Sequence, residues 1–219
     1  MKCPYLITVI IPTYNRAHLL PLTLDSFISQ TYPKENYEII VSDNNSTDST
    51  KELAAQYVIN SPVTVKYIFE KRQGVHYARN SAAMQSRGDI LYFTDDDMIA
   101  DPDLLINLVQ LFSYNPKIGC VTGRILPRFE VAPPKWVQKH LINAYLSLTD
   151  NDRPEQLVIS ENDTMVYSCH QGIKSDVFFK SGGFNPENTA GVWIGDGETG
   201  LNIKIKAMGY LFAYISSSV

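Results

Sequence analysis

The sequence is poor in cysteine and lacks several common active-site signatures. Its three cysteines, Cys3, Cys120 and Cys169, are far apart and form neither a CxxC metal pattern nor a disulfide framework. This usage favours a reducing compartment such as the cytoplasm. No GxGxxG, GxxxxGK[ST] or GxSxG stretch occurs, so a dinucleotide-binding loop, a P-loop and a nucleophile elbow are unsupported.

Signals for membranes and nucleic acids are also missing. No run of about 18 apolar residues occurs, and the short apolar run near the start is broken by Pro12, which is typical of neither a signal peptide nor a membrane span. The balance of 19 basic against 23 acidic residues argues against a general nucleic-acid binder. The four histidines form no zinc-binding spacing. We therefore expect no nucleic-acid partner.

The sequence does contain a regular alternation of strand and helix patterns. Apolar runs at 6–12, 37–41, 63–70 and 89–95 predict strands, and the segments between them have helical periodicity. Such alternation predicts an α/β fold with a mainly parallel central sheet and helices on both faces. The length of 219 residues favours one domain.

Three helix ends are marked by specific residues. Gly88 is predicted to follow the third helix as its C′ residue. The next helix is predicted to open with Asp101 as N-cap and Pro102 at its first position. Near the end of the chain, Leu201, Ile205 and Met208 are predicted to share a helix face that ends before Gly209.

Polar clusters follow three of the predicted strands, at 13–16, 43–48 and 95–97. Ligands of parallel sheets bind beyond the carboxyl ends of the strands, so these clusters predict one site. Asp95, Asp96 and Asp97 crowd three like charges together, which a bound Mg²⁺ or Mn²⁺ sharing a diphosphate would relieve. A solvated acidic turn before the next helix explains the same pattern equally well.

Two further residues are candidates for ligand contacts. Asp43 directly follows a strand and could accept hydrogen bonds from a base or ribose, whereas Ser46, Thr47 and Asp48 are explained by turn and cap chemistry. Arg79 could contact phosphate from a helix, although a surface ion pair is at least as good an explanation of that residue alone.

Six motifs occur in order along the chain: VIIPTYNR, EIIVSDNNSTDST, GVHYARN, GDILYFTDDD, FFKSGGF and GDGETGL. Together they make the sequence similar to the family 2 glycosyltransferases, which have a GT-A fold. Each motif is weak alone, but the six in order extend from about residue 5 to the end of the chain. The resemblance implies one domain over 1–219, with a nucleotide-binding half over about 1–100 and an acceptor-side half over about 101–219.

The resemblance also implies roles for individual residues. The implied nucleotide and donor site comprises Pro12, Thr13, Tyr14, Arg16, Asp43, Arg79, Asp95, Asp96 and Gly183. Asp97 and Asp95, in a stretch similar to the DxD motif, would bind Mn²⁺ or Mg²⁺. Asp196 would be the catalytic base, although an N-cap explains it as well, and Glu198 would support the acceptor site. Apart from the resemblance, Trp193 could stack on a sugar ring of the acceptor, but core packing explains an isolated tryptophan better. The family often has Glu before the catalytic Asp, where this chain has Gly195.

The implied activity is an inverting, metal-dependent transfer of a sugar from a nucleotide-diphosphate sugar to an acceptor hydroxyl. A UDP-sugar is the expected donor, and a glycan, lipid-linked or other hydroxyl is the expected acceptor, in polysaccharide or glycoconjugate synthesis. The expected location is the cytoplasm, with peripheral association at the inner face of the membrane. The alternatives are a catalytically silent sugar-nucleotide or glycan-binding domain, and a nucleotidyltransferase.

Overall fold

The computed structural model describes residues 5–134, 147–149, 158–160, 166–186 and 197–215. The strands are β1 (Ile7–Thr13), β2 (Tyr37–Asp43), β3 (Thr64–Phe69), β4 (Ile90–Thr94), β5 (Ile118–Gly123), β6 (Val158–Ser160), β7 (His170–Lys174) and β8 (Leu211–Ile215). The helices are α1 (Leu20–Ile28), α2 (Thr50–Asn60), α3 (Val75–Met84), α4 (Leu104–Tyr114), α5 (Ser175–Lys180) and α6 (Glu198–Ala207). None of these described helices combines the length and apolar character needed to cross a bilayer.

The strands form one sheet in the order β3-β2-β1-β4-β7-β5-β8-β6. The first four strands are parallel, as the alternation of strand and helix predicts. β7 then runs antiparallel between β4 and β5, while β8 is parallel to β5 and β6 is antiparallel to β8. The predicted α/β fold with a mainly parallel sheet and helices on both faces is confirmed, with antiparallel strands in the second half.

Helices cover both faces of the sheet, and the alternation of side chains along β1 explains how. Ile7, Val9 and Ile11 pack with residues of α1, α2 and α4 on one face. Ile10 packs with residues of α3, α5 and α6 on the other face. Side chains along a strand point to opposite faces in turn, so a strand buried on both sides is apolar throughout. This accounts for the nearly continuous apolar run in the sequence.

The register brings the strand ends to a common level at one edge. Thr13, the last residue of β1, pairs with Asp43, the last residue of β2. β4 lies on the other side of β1, and the three aspartates follow directly after its last residue, Thr94. The three predicted polar clusters therefore meet at one edge, beyond the carboxyl ends of β1, β2 and β4.

Two predicted helix ends are wrong. α3 ends at Met84, and Gly88 lies beyond it, where its amide donates to Thr8 Oγ1 over 3.0 Å. A Cβ on Gly88 would lie 2.5 Å from the Thr8 amide nitrogen, so close packing against β1 explains the glycine. α4 begins at Leu104, with Asp103 in the N-cap position and Asp101 and Pro102 in the preceding turn.

The last helix follows its predicted pattern in part. Leu201 and Ile205 of α6 are fully buried, and Gly209 has φ of +81°, as a residue after a helix end often does. Met208 lies at the C-cap and is partly exposed, so it is not a core residue of that face.

Candidate active site

A cavity of about 700 Å³ opens at the carboxyl edge of β1, β2 and β4. The predicted site residues on its wall are Pro12, Thr13, Tyr14, Arg16, Arg79, Asp95, Asp96, Asp97 and Glu198. Asp43 and Gly183 are not on that wall, and Asp196 and Trp193 lie outside the described residues. The first strand, the third helix and the aspartate turn therefore converge on one concave surface.

The aspartate turn is held by contacts from the last residue of β1 and from the turn that follows it. Thr13 Oγ1 donates to Asp96 Oδ2 over 2.7 Å. Arg16 Nη1 lies 3.0 Å from Asp96 Oδ1 and 2.9 Å from Asp97 Oδ2, so one nitrogen bridges two carboxylates. Burial raises the pKa of Asp96, and the hydrogen bonds from Thr13 and Arg16 oppose that rise. These contacts relieve part of the crowding between adjacent negative charges.

Asp95, the first aspartate of the turn, is held separately by a buried arginine. Arg79 Nη2 lies 2.6 Å from Asp95 Oδ1, and the Arg79 side chain is 5% exposed. Its guanidinium carbon lies 5.6 Å from the centre of the Phe184 ring. Among the described residues, Arg79 Nε is buried without a hydrogen-bond partner. A buried donor on a cavity wall is costly unless a ligand satisfies it, which makes this cavity suitable for a polar ligand.

The donor set suits a divalent cation shared with a ligand. Asp95 and Asp97 both line the cavity, and the Asp97 side chain is 47% exposed. Within the described ranges, no group of three or more His, Cys, Asp or Glu side chains is arranged to hold a metal alone. Mg²⁺ binds through one or two carboxylates and takes its remaining ligands from phosphates and water. The residues present therefore fit a cation that arrives with a diphosphate.

Asp43 lies beneath the cavity wall. The residue is 1% exposed; its Oδ1 accepts from the Ser46 amide and its Oδ2 accepts from Tyr67 Oη, each over 2.8 Å. Its predicted contact with a base stays a prediction. The next residue, Asn44, reaches the cavity, accepts from the Gly74 amide over 2.7 Å and donates to the Arg72 carbonyl over 2.6 Å.

Sequence reasoning missed several cavity residues, of which His76 is the most distinctive. Its ring stacks on Phe184 with centroids 4.9 Å apart and planes 14° from parallel. Burial, assisted by the charge of Arg79, lowers the pKa of His76 to about 4. Its Nδ1 has no hydrogen-bond partner within the described part of the chain. The signal was available, since His76 lies within the GVHYARN motif that also carries Arg79.

The glycine turn after α5 supports these side chains from behind. Gly182 and Gly183 have φ of +82° and +67°, which glycine adopts without strain. Asn80 accepts from the Phe184 amide over 3.2 Å and donates to the Phe184 carbonyl over 2.9 Å. The turn thereby fixes the ring beneath His76 and Arg79. In the structure Gly183 shapes the site through Phe184.

Glu198 closes the cavity from the second half of the chain. It lies in the first turn of α6, where the helix dipole favours an acidic residue. Its Oε2 accepts a hydrogen bond from the Ser168 amide, which ties α6 to the segment before β7. Ser168 and Pro186 also line the cavity and were not predicted. The acceptor role of Glu198 stays a prediction.

The family model described as glycosyl transferase family 2 matches residues 8–180 of this sequence. The chain belongs to this family. A curated relative, glycosyltransferase AglE of Haloferax volcanii, is 44% identical over 91 residues, which are 42% of this chain and 30% of AglE. The match therefore spans less than a third of the length of AglE.

Solved structures of glycosyltransferases have the same fold. The mannosyltransferase PcManGT of Pyrobaculum calidifontis, solved with GDP-Man and Mn²⁺, has a TM-score of 0.71 and 25% identity. That match covers 97% of this chain and 54% of PcManGT. S. aureus TarS 1–349, solved with UDP-GlcNAc, has a TM-score of 0.73 and 18% identity over 96% of this chain and 56% of that one. The predicted GT-A fold is confirmed.

Proposed function

We propose that this family 2 protein transfers a sugar from a nucleotide-diphosphate sugar to an acceptor hydroxyl with inversion at the anomeric carbon. The observation that carries the proposal is that most residues implied by the resemblance line one cavity at the carboxyl edge of the sheet. Ligands of open α/β sheets bind at this edge. The PcManGT complex with GDP-Man and Mn²⁺ supports the same class of donor.

The chain's own residues account for binding of the donor. Thr13 and Tyr14 would line the nucleotide side, and Asp95 and Asp96 would face the ribose and the sugar. Arg79 lines the cavity and is held by Asp95 and Phe184, which positions its guanidinium beside the proposed diphosphate. A charge-assisted hydrogen bond from Arg79 would strengthen as negative charge grows on the leaving nucleoside diphosphate.

Asp196 is proposed as the general base. Its carboxylate would take the proton of the acceptor hydroxyl while that oxygen attacks the anomeric carbon. The bond from the anomeric carbon to the diphosphate oxygen breaks in the same displacement, so the configuration inverts and no covalent enzyme intermediate forms. A carboxylate is basic enough because the hydroxyl becomes acidic only as its bond to carbon develops.

Asp97, together with Asp95, is proposed to hold Mn²⁺ or Mg²⁺. When bound, the cation supplies positive charge that stabilises the departing diphosphate. The exposed carboxylate of Asp97 leaves room for phosphate oxygens and water in the remaining coordination positions.

The expected donor is a UDP-sugar, with GDP-sugars as the first alternative because of the PcManGT complex. The acceptor is proposed to be a glycan or a lipid-linked hydroxyl, used in polysaccharide or glycoconjugate synthesis. We place the activity in the cytoplasm, peripherally at the inner face of the membrane, where lipid-linked acceptors are available.

A panel of UDP- and GDP-sugars, each tested by thermal melting with Mn²⁺ or with EDTA, will identify the donor. A ligand at 100 times its Kd adds about 2.7 kcal/mol to stability, which corresponds to a shift of several degrees. We expect one nucleotide-sugar to raise the melting temperature with Mn²⁺ and much less with EDTA. Absence of any shift across the panel would contradict the proposal.

The products distinguish the alternatives. A glycosyltransferase releases a nucleoside diphosphate, whereas a nucleotidyltransferase releases pyrophosphate. A silent binding domain would show the thermal shift with no product from any acceptor. Analysis of the anomeric configuration of the product by NMR tests inversion directly.

A further inference from the structure

Arg16 already occupies the position of a cation between the second and third aspartates of the turn. Its Nη1 contacts Asp96 and Asp97 at 3.0 and 2.9 Å, and both contacts are short enough for charge-assisted hydrogen bonds. Asp97 is one of the carboxylates proposed to bind the divalent cation. The guanidinium and such a cation therefore require the same carboxylate.

The two arginines of the site are held very differently. The Arg79 side chain is 5% exposed and packs against Phe184, so its position is fixed by the core. The Arg16 side chain is 47% exposed and lies in the turn after β1. The contact with Asp97 joins two half-exposed side chains, and exposed ion pairs are weak, typically below about 1 kcal/mol, so Arg16 can leave Asp97 at little cost. Asp96 is buried, so the contact of Arg16 with Asp97 is the one suited to exchange.

The local charges favour exchange over simultaneous binding. Asp96 and Asp97 carry two negative charges when ionised, and Arg16 compensates one of them. A divalent cation at Asp97 and Asp95 adds two positive charges, so a guanidinium retained on Asp97 would place positive charges against each other. Moving Arg16 away removes that repulsion and frees its donors for an anion in the same cavity, which Arg16 also lines.

We propose that Arg16 is an internal counter-ion of the aspartate turn that a divalent cation must displace from Asp97. The inference rests on the proposed function, because it assumes a divalent cation at Asp97. It goes further by proposing that Arg16 competes with the cation for the Asp97 carboxylate. Before the donor arrives, the Arg16 ion pairs keep the aspartate turn compact and limit binding of the cation.

Binding of Mn²⁺ alone, measured by electron paramagnetic resonance without nucleotide, tests this exchange. Arg16→Gln is expected to bind Mn²⁺ about five-fold more tightly than the wild-type protein, a change that corresponds to about 1 kcal/mol. Arg16→Lys, which keeps the charge, is expected to stay near the wild-type affinity. Lys180→Gln removes an exposed charge that is paired with Asp176 on α5 and should change nothing.

The outcomes separate this inference from the proposed function. Unchanged or weaker Mn²⁺ binding in Arg16→Gln would overturn the proposed exchange. Equally tighter Mn²⁺ binding in Lys180→Gln would also overturn it, because the change in net charge alone would then explain the effect. Asp97→Asn tests the cation site itself and should lose Mn²⁺ binding. If Asp97→Asn binds Mn²⁺ as the wild type does, the proposed metal site is wrong. Melting temperatures in EDTA show that each variant is folded.

Discussion

His76 is a buried neutral group on the wall of the candidate site. With a pKa of about 4, set by burial and by the charge of Arg79, it carries no charge at neutral pH. We therefore expect no titration of His76 between pH 6 and 8. Its position depends on two neighbours, the Phe184 ring on one side and the backbone at Gly197.

The contact with Gly197 predicts a sensitive position. A Cβ at Gly197 would overlap His76 Nε2, and the stacked ring cannot move away without leaving Phe184. Gly197→Ala is expected to cost about 1–3 kcal/mol, the range typical of overpacking. Thr199→Ala, two residues along in an exposed position, is the matched control. Chemical denaturation measures both, and equal stability of the two variants would contradict the tight contact.

The loop between β3 and α3 is held in shape by two polar side chains, Glu70 and Asn44. Glu70 accepts from Arg72 Nε and Nη2 over 2.9 and 2.8 Å and from the Ser81 hydroxyl. Asn44 holds the same connection at Arg72 and Gly74. Because Gly74 and its neighbour Gln73 line the cavity, these anchors position one wall of the site.

Glu70 should contribute a pH-dependent part of the stability. The hydrogen bond from Arg72, opposed by burial of the carboxylate, lowers the pKa of Glu70 from 4.5 to about 2. A lowered pKa gives stability that is present above pH 4.5 and is lost as the pH falls towards 2. Glu70→Gln should lose about 1–3 kcal/mol at pH 7, and its difference from the wild type should shrink between pH 4.5 and 2.

Denaturation at a series of pH values measures this effect, with exposed Glu35→Gln as the control. A constant difference between Glu70→Gln and the wild type across that pH range would show that the carboxylate is not coupled to stability.

The helices and strands also show which structural features can be predicted from local sequence patterns. Strand and helix order follows from periodicity, because burial of a strand or helix face is a local property of the sequence. The local pattern predicts a helix end at Gly88 because glycine commonly ends helices. The structure instead explains this glycine by the close approach of Thr8, which is distant in sequence. The burial of Asp43 under Tyr67 is likewise a long-range contact that no local motif reveals.

At the scale of the whole molecule, one sheet joins the two halves of the chain. β4 from the first half pairs with β7 from the second half from Ile90 with Lys174 to Thr94 with His170. The sequence pattern predicts the parallel half, but it does not predict the insertion of antiparallel β7 between β4 and β5. Strand order there is set by packing between distant segments, which periodicity does not record.

This continuous sheet predicts one cooperative unfolding transition for the chain. Far-ultraviolet circular dichroism and intrinsic fluorescence should give coincident denaturation curves, since neither half can lose its strands without exposing the other half's sheet edge. Two separate transitions would contradict the single domain over residues 1–219.

The most direct test of the proposed activity measures nucleoside diphosphate release with the best donor of the panel and Mn²⁺. The wild type and Asp103→Asn, a control on an exposed aspartate before α4, should both be active. Asp97→Asn and Asp196→Asn should each lose activity by about 100-fold or more, as expected for a charge-stabilising group and a general base. Wild-type rates in both Asp97→Asn and Asp196→Asn would contradict the proposed transferase site.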